Sequence, residues 1–251
     1  MDFTGKVILI TGASTGIGKA LALSLSKENC KLVLVARRTE LIEQYKQQFT
    51  AHQPLIIKCD VSNKEEVTKT NKEIVERFGG IDIAILNAGV GFHMDVEKYN
   101  SMYAEKTFGT NLYGVIYWVE QILPYLLKKK EGVIAGISSL ADNRGYSKSG
   151  FYSSSKAALT NYLEGLSLDL KPYGIKVITI RPGFVDTPIN SQNKYPMPFM
   201  MNAESAAEII LNGIKSEKRM IQFPWQMVLL TRLIGSVPGR LYEWLVSRSK
   251  L

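Results

Sequence analysis

Val7-Ile8-Leu9-Ile10 runs straight into Thr11-Gly12-Ala13-Ser14-Thr15-Gly16-Ile17-Gly18, and an apolar helical pattern (Ala20, Leu21, Leu23, Leu25) follows at once. An unbroken aliphatic run of this length reads as a strand covered on both faces. The glycines let the backbone turn tightly and approach phosphate groups, whose charge then meets the unpaired N–H groups of the following helix. Strand, glycine turn and helix therefore stand in the order that binds a pyrophosphate. The spacing is TGxxxGxG rather than the more familiar GxGxxG.

The alternation continues outward from this start. Further strands are expected at Lys31–Ala36, Leu55–Cys59, Asp82–Leu86, Gly132–Ser138 and Ile175–Arg181, with the first taken as Lys6–Thr11. Helices are expected near Gly16–Asn29, Glu40–Ala51, Lys64–Phe78, Met102–Leu127, Phe151–Lys171 and Ala203–Ser216. Repeated strand–helix units imply an α/β fold with a parallel sheet and right-handed crossovers. No linker divides the chain and no repeat is found, so residues 1–251 read as one domain. Pro188, Pro196 and Pro198 break the rhythm after the last of these strands, which makes 186–216 a candidate substrate lid.

Composition narrows the class. With 45% hydrophobic and 22% charged residues, a disordered chain and a collagen-like repeat are excluded. Cys30 and Cys59 make neither a disulfide framework nor a CxxC metal site and read as small buried hydrophobes in a reducing compartment, so the cytoplasm is expected. The first apolar run is too short for the ~7–15 residues of a signal peptide. No stretch reaches the ~18 apolar residues of a spanning helix, so a soluble or surface-associated protein is expected.

The residue ending the second strand selects the dinucleotide. An acid about 20 residues past the glycines would bond the ribose 2′-OH and repel a 2′-phosphate. This chain has Ala36-Arg37-Arg38 there, and a guanidinium offers a planar fork to phosphate, so NADP(H) is expected over NAD(H).

Tyr152 and Lys156 are spaced i, i+4 in a helical stretch, which stacks them on one face. An ammonium beside a phenol of ordinary pKa about 10 favours the phenolate, so the pair is a candidate general acid/base. Upstream, Ser138-Ser139 ends a strand, where ligand sites of α/β sheets gather, and Ser139 could hold an alcohol or carbonyl oxygen beside Tyr152.

With these features the chain resembles the short-chain dehydrogenase/reductase family over at least residues 4–190. The resemblance rests on Thr11-Gly12 with Gly16 and Gly18, Asp60-Val61, Asn87-Ala88-Gly89, Asn111, Ser139, Tyr152-xxx-Lys156, and Arg181-Pro182-Gly183 with Thr187. It implies a Rossmann-like doubly wound sheet of about seven strands, and reversible hydride transfer between a nicotinamide and a carbonyl or secondary alcohol. Tyr152 is similar to the acid/base, Ser139 to the group polarising the oxygen, and Lys156 to the residue that lowers the tyrosine pKa and binds the nicotinamide ribose. Asn111 is similar to the residue that interrupts its helix and positions a relay water. The implied NADP(H) site takes Gly12, Ser14, Thr15, Gly16, Ile17 and Gly18 from the first turn and Arg37 with Arg38 from the second strand end. Asp60 and Val61 belong to its adenine side, and Asn87 braces the sheet with Ala88 and Gly89 beside it. Pro182, Gly183, Val185 and Thr187 would orient the nicotinamide. Two departures stand out. Thr15 stands where NADP-preferring members often carry a second basic residue, leaving Arg38 and Ser14 to help with the 2′-phosphate, and Leu140-Ala141-Asp142 follows the serines where the family usually has a small residue and glycine, with Asp142 expected to reshape the substrate mouth.

His52 and His93, with no third ligand nearby, make no metal site; His52 reads as a surface residue, and His93 as either cleft-lining or exposed. Lys128-Lys129-Lys130 reads as a solvated helix C-terminus. The helices over Met102–Leu127 and Tyr152–Lys171 are apolar on more than one face, and the resemblance makes them the interface of a homodimer or homotetramer.

Of a net charge of +8, five units lie in the last segment, where seven basic residues from Lys215 to Lys250 face only Glu217 and Glu243. Residues 220–251 read as an amphipathic extension, with helices over Phe223–Ile234 and Pro238–Val246, that caps the pocket, packs on a partner subunit or touches a membrane peripherally. The second alternative for the whole chain is an NADPH-sensing binding protein without turnover. A nucleic-acid partner is not expected, since no recognition helix or RNA-binding motif accompanies the charge.

Overall fold

The computed structural model describes residues 1–191 and 196–248. Residues 192–195 of the expected lid and 249–251 of the extension lie outside them. Seven strands, β1 (Val7–Thr11), β2 (Lys31–Ala36), β3 (Leu55–Lys58), β4 (Ile83–Leu86), β5 (Gly132–Ile137), β6 (Ile175–Pro182) and β7 (Met220–Phe223), form one sheet in the order β3-β2-β1-β4-β5-β6-β7. Every pairing is parallel. The fold is a Rossmann-like α/β sheet with helices on both faces.

Side chains on a strand alternate between faces, and β1 shows what this does to the core. Ile8 and Ile10 join the apolar layer beneath α1 (Gly16–Leu25) and α7 (Ala203–Lys215), with Leu21, Leu25, Ile210 and Ile214. Val7 and Leu9 join the opposite layer with Val67 and Ile74 of α3 (Lys64–Phe78), Trp118 and Ile122 of α5 (Gly114–Lys129), and Leu159 and Leu163 of α6 (Gly150–Leu170). Both faces being covered, the inner strands carry apolar residues almost throughout.

The local signals place α3 well. Asn63 accepts hydrogen bonds from the Glu65 and Glu66 amides, and Gly79 closes the helix at φ 81°. Elsewhere tertiary contacts override the pattern. The helix expected over Glu40–Ala51 shrinks to α2 (Glu40–Glu43) and a 3-10 turn at Lys46–Gln48, because Tyr45 leaves helical geometry and is drawn into the core. The helix expected over Met102–Leu127 is divided into α4 (Met102–Phe108), a π turn at Gly109–Tyr113, and α5. β7 carries only four residues at the sheet edge, too short a run to stand out from its basic surroundings. The tail forms α8 (Trp225–Ser236) and α9 (Gly239–Arg248).

After β3 the chain crosses over β2 and β1 to lay β4 beside β1. Helices therefore diverge to opposite faces between β1 and β4, and the gap lies at the C-terminal ends of those strands.

Candidate active site

A cleft of about 1140 Å³ runs along this edge of the sheet. Of the catalytic and cofactor-binding residues expected from sequence, all line it except Gly18 and Asn111, which are buried.

The glycine turn is held from two sides. Thr11 Oγ1 accepts from the Asn87 and Ala88 amides at 3.0 and 3.1 Å, while Asn87 Nδ2 donates to the Thr11 and Gly12 carbonyls at 2.9 and 3.2 Å. From below, the Tyr45 hydroxyl donates to the Ala13 carbonyl at 2.7 Å. Nothing in the pattern of residues around Tyr45 announces that role. Gly12 and Gly16 have φ of +67° and +55°, and a Cβ on Gly18 would meet the Gly12 carbonyl oxygen. Thr15 caps α1 without a side-chain hydrogen bond, and no acid occupies the first turn. That helix end, opening onto the cleft, fits an anion. The residues present therefore fit a dinucleotide.

At the β2 end Arg37 and Arg38 face the cleft. Arg37 Nη1 lies 3.7 Å from Asp60 Oδ2, and its side chain is 59% exposed, so it is available to a ligand. Asp60 is further held by Ser62, whose amide and hydroxyl donate at 3.0 and 2.7 Å.

At the other end stand Ser139, Tyr152 and Lys156. Ser139 Oγ accepts from the Ala141 amide at 3.1 Å and starts a 3-10 turn over Leu140–Asp142. Lys156 is only 3% exposed; Nζ donates to the Ile137 carbonyl at 2.7 Å and lies 5.8 Å from the Tyr152 ring centroid. Burial pulls this ammonium down to about 8, with the Asp142 carboxylate opposing. A Cβ on Gly89 would lie 3.4 Å from Asn111 Oδ1 and 3.5 Å from Lys156 Nζ, so this loop passes directly over both side chains.

Asn111 sits in the π turn with its amide fully used. Oδ1 accepts from Val90 N at 2.8 Å, and Nδ2 donates to Val90 O and Ser155 Oγ at 3.0 Å each. The wider helix turn brings that side chain to both the β4 loop and α6.

Asp142 does not shape the mouth. Its side chain is 2% exposed and points inward, where Oδ1 pairs with Arg181 Nη2 and Oδ2 accepts from Thr160 Oγ1 at 2.5 Å. Thr160 also bonds Ser138 Oγ at 2.6 Å, and Ser138 donates to the Lys156 carbonyl at 3.0 Å. A buried carboxylate gains more from the Arg181 guanidinium than from facing the cleft, so Asp142 turns inward. Thr160 continues the Tyr152/Lys156 face by another four residues, and extending that spacing would have found it.

Of the remaining signals, His52, His93 and Cys30 fall outside the cleft, while Cys59 lies along it. His52 is exposed and bonded to Asn29 Oδ1 at 2.8 Å, and His93 is exposed. Among the described residues no group of three His, Cys, Asp or Glu could hold a metal ion. Burial raises the free thiols of Cys30 and Cys59 to about 11, so both are inert at neutral pH. The inner faces of α8 and α9 complete the cleft through Met227, Leu230, Ile234, Tyr242 and Val246.

A family model described as short chain dehydrogenase matches residues 6–197. An uncharacterized oxidoreductase of Myxococcus xanthus (strain DK1622) is 30% identical over 96% of both chains. Among solved structures, an alcohol dehydrogenase from the archaeon Thermococcus sibiricus, complexed with 5-hydroxy-NADP, is similar at a TM-score of 0.77 with 27% identity, covering 87% of this chain and 94% of that one. A short chain dehydrogenase/reductase from Burkholderia phymatum in complex with NAD has a TM-score of 0.85 at 24% identity, covering 93% and 94%, and speaks to the fold.

Proposed function

The chain is an oxidoreductase of the short-chain dehydrogenase family, and on that premise we propose that it uses NADP(H) to interconvert a carbonyl and a secondary alcohol on an uncharged, apolar substrate. One observation carries the reading: Ser139, Tyr152 and Lys156 line the same cleft as the glycine turn and the uncapped start of α1. The nicotinamide, when bound, supplies or accepts the hydride.

Tyr152 gives its phenolic proton to the carbonyl oxygen during reduction and takes it back during oxidation. Ser139 already accepts from Ala141, which leaves its own hydroxyl proton to polarise the same oxygen. Lys156 holds its ammonium by one bond to Ile137 and keeps two donors for the ribose hydroxyls and for the field that stabilises the phenolate. Asn111 locks the β4 loop to α6 so that Gly89 and Lys156 keep their separation. Asp60 and Val61 hold the adenine side, and Pro182, Gly183, Val185 and Thr187 orient the nicotinamide.

Tyr152→Phe should cut turnover by about a hundredfold to ten-thousandfold and leave NADPH affinity, measured by fluorescence titration, within about twofold. Retained turnover refutes the reading, and a wild-type chain that binds NADPH but oxidises it with no ketone is the binding protein without turnover. The choice of NADP(H) rests on Arg37 and Arg38, with no acid at the β2 end. A charge-assisted bond of ~1.5–3 kcal/mol predicts at least tenfold higher kcat/KM with NADPH than NADH, reversed by Arg37→Asp; equal efficiencies would remove this part. We place the homodimer or homotetramer contact on the exposed Tyr113, Tyr125 and Leu168 of α5, its preceding turn and α6, to be read by analytical ultracentrifugation.

A further inference from the structure

The six residues after Ser139 tie the catalytic turn to the last two helices. Asp142 anchors the segment inward on Arg181 and Thr160. Its next neighbours reach outward. Asn143 Nδ2 donates to the Thr231 carbonyl of α8, and Arg144 Nη1 donates to the carbonyls of Ile234 and Val237 at 2.9 and 2.6 Å. Those carbonyls lie at the C-terminal end of α8, where Ile234 O also accepts from the Val237 amide at 3.2 Å and a guanidinium complements the helix dipole. The same guanidinium lies 3.9 Å from the centroid of the Tyr242 ring on α9, and the Tyr242 hydroxyl donates to the Gly145 carbonyl at 2.9 Å. A Cβ on Gly235 would come within 3.2 Å of Asn143 Nδ2, so the segment and α8 pack closely.

The inner faces held this way supply Met227, Leu230, Ile234 and Val246 to the cleft, with Thr231 and Tyr242 whose hydroxyls are turned to the Val228 and Gly145 carbonyls, and Arg144 itself is not among the lining residues. Among the described residues, the charged ones lining the cleft are Arg37, Arg38 and Asp60 at the β2 and β3 ends, and Lys156, and none of them lies on the α8–α9 side. We propose that Arg144 is a specificity-determining positioning residue: by clamping α8 and α9 to the Ser139 turn it sets an apolar wall that selects uncharged ketones and alcohols with long hydrocarbon chains. The proposal rests on the reaction assigned above and narrows its apolar substrate to long hydrocarbon chains, with the residue that selects them. Because the segment that follows Ser139 bonds to both helices, the apolar surface is tied to the turn that holds the reacting oxygen.

The test is a series of unbranched methyl ketones, from 2-butanone to 2-dodecanone, reduced with NADPH. In the wild-type enzyme kcat/KM should climb about fourfold for each methylene that enters the wall. Arg144→Ala should leave 2-butanone within about twofold, lose roughly fifteenfold or more on 2-decanone, a loss of at least two methylenes' contribution, and show the loss in KM rather than kcat. Arg144→Lys, which keeps the charge without the fork or the stacking plane, should fall between. Tyr242→Phe, a milder change that deletes only the bond to Gly145, should shift the same ratio in the same direction.

Calorimetric titration of the NADPH-loaded protein with 1-decanol and 1-butanol reads the wall without turnover, and Arg144→Ala should weaken only the longer alcohol. Equal losses on short and long ketones, no loss on either, or a wild type blind to chain length would each overturn the proposal. If no ketone is reduced but 1-decanol binds in an Arg144-dependent way, the reaction is wrong and the wall stands. If Tyr152-dependent reduction occurs with no Arg144 effect, the wall is wrong and the reaction stands.

Discussion

Lys156 concentrates the tension between stability and chemistry. Its ordinary pKa of 10.5 is pulled down to about 8 by burial. Between those values the unfolded chain holds a proton that the folded chain has released, so this group makes stability rise with pH across that window. Below about 8 the folded protein carries the full cost of a buried ammonium, in part offset by the bond to Ile137. Lys156→Met should therefore be more stable than wild type at pH 7, by roughly 1–3 kcal/mol. In urea titrations the advantage should shrink towards pH 10, while turnover is lost. An advantage that stays constant with pH would contradict the buried charge. For the same reason kcat/KM for reduction should fall above pH about 8, as the free enzyme loses its ammonium. The Tyr152/Lys156 pair was legible because both residues lie on one helix face. The depth of Lys156 was not, because it depends on Ile137 and Asp142 from other segments.

Among the elements, the 3-10 turn after Ser139 shows how much a short piece of chain can hold. Its Asp142 is buried at 2% exposure against an Arg181 of β6 at 17%, across α6 Thr160. Removing one partner of such a pair leaves an uncompensated charge, so Arg181→Ala should cost about 3–5 kcal/mol in denaturant unfolding. Replacing both, as Arg181→Met with Asp142→Leu, should recover most of it; a double variant as unstable as the single would show that the pair is more than a mutual compensation. Other element-level features were only half legible. Helix and strand positions followed the periodicities, and α3 followed its caps. The break at Asn111 came only from the resemblance, and the early end of α2 from nothing, because each is imposed by a side chain, Asn111 or Tyr45, that bonds to the loop after a distant strand.

Over the whole molecule, the basic tail turns out to have two faces. Its inner face lines the cleft, while Trp225, Leu229 and Leu233 of α8 are exposed, Trp225 at 71%, close to Arg232. Apolar and basic groups together favour an anionic lipid surface. The chain is expected to cosediment with phosphatidylserine vesicles, and a variant carrying Trp225→Glu, Leu229→Glu and Leu233→Glu to stay in the supernatant with its turnover intact. Equal sedimentation of the two would remove the membrane contact. Shortening the chain at Glu217 would confuse the result, since it would also delete β7. Among the described residues no helix is long and apolar enough to cross a membrane.

By itself the sequence determined the alternating α/β order, the glycine turn, the basic end of β2 and the Tyr152/Lys156 face. Each of these is a pattern among near neighbours, written in spacings of two, three or four residues. Tertiary structure alone decided that Asp142 faces the core, that Tyr45 holds the glycine turn, and that α8 and α9 close over the cleft. Those outcomes turn on pairs such as Arg144 and Val237, 93 positions apart, where the gain from a hydrogen bond or a buried charge appears only once the chain has already folded.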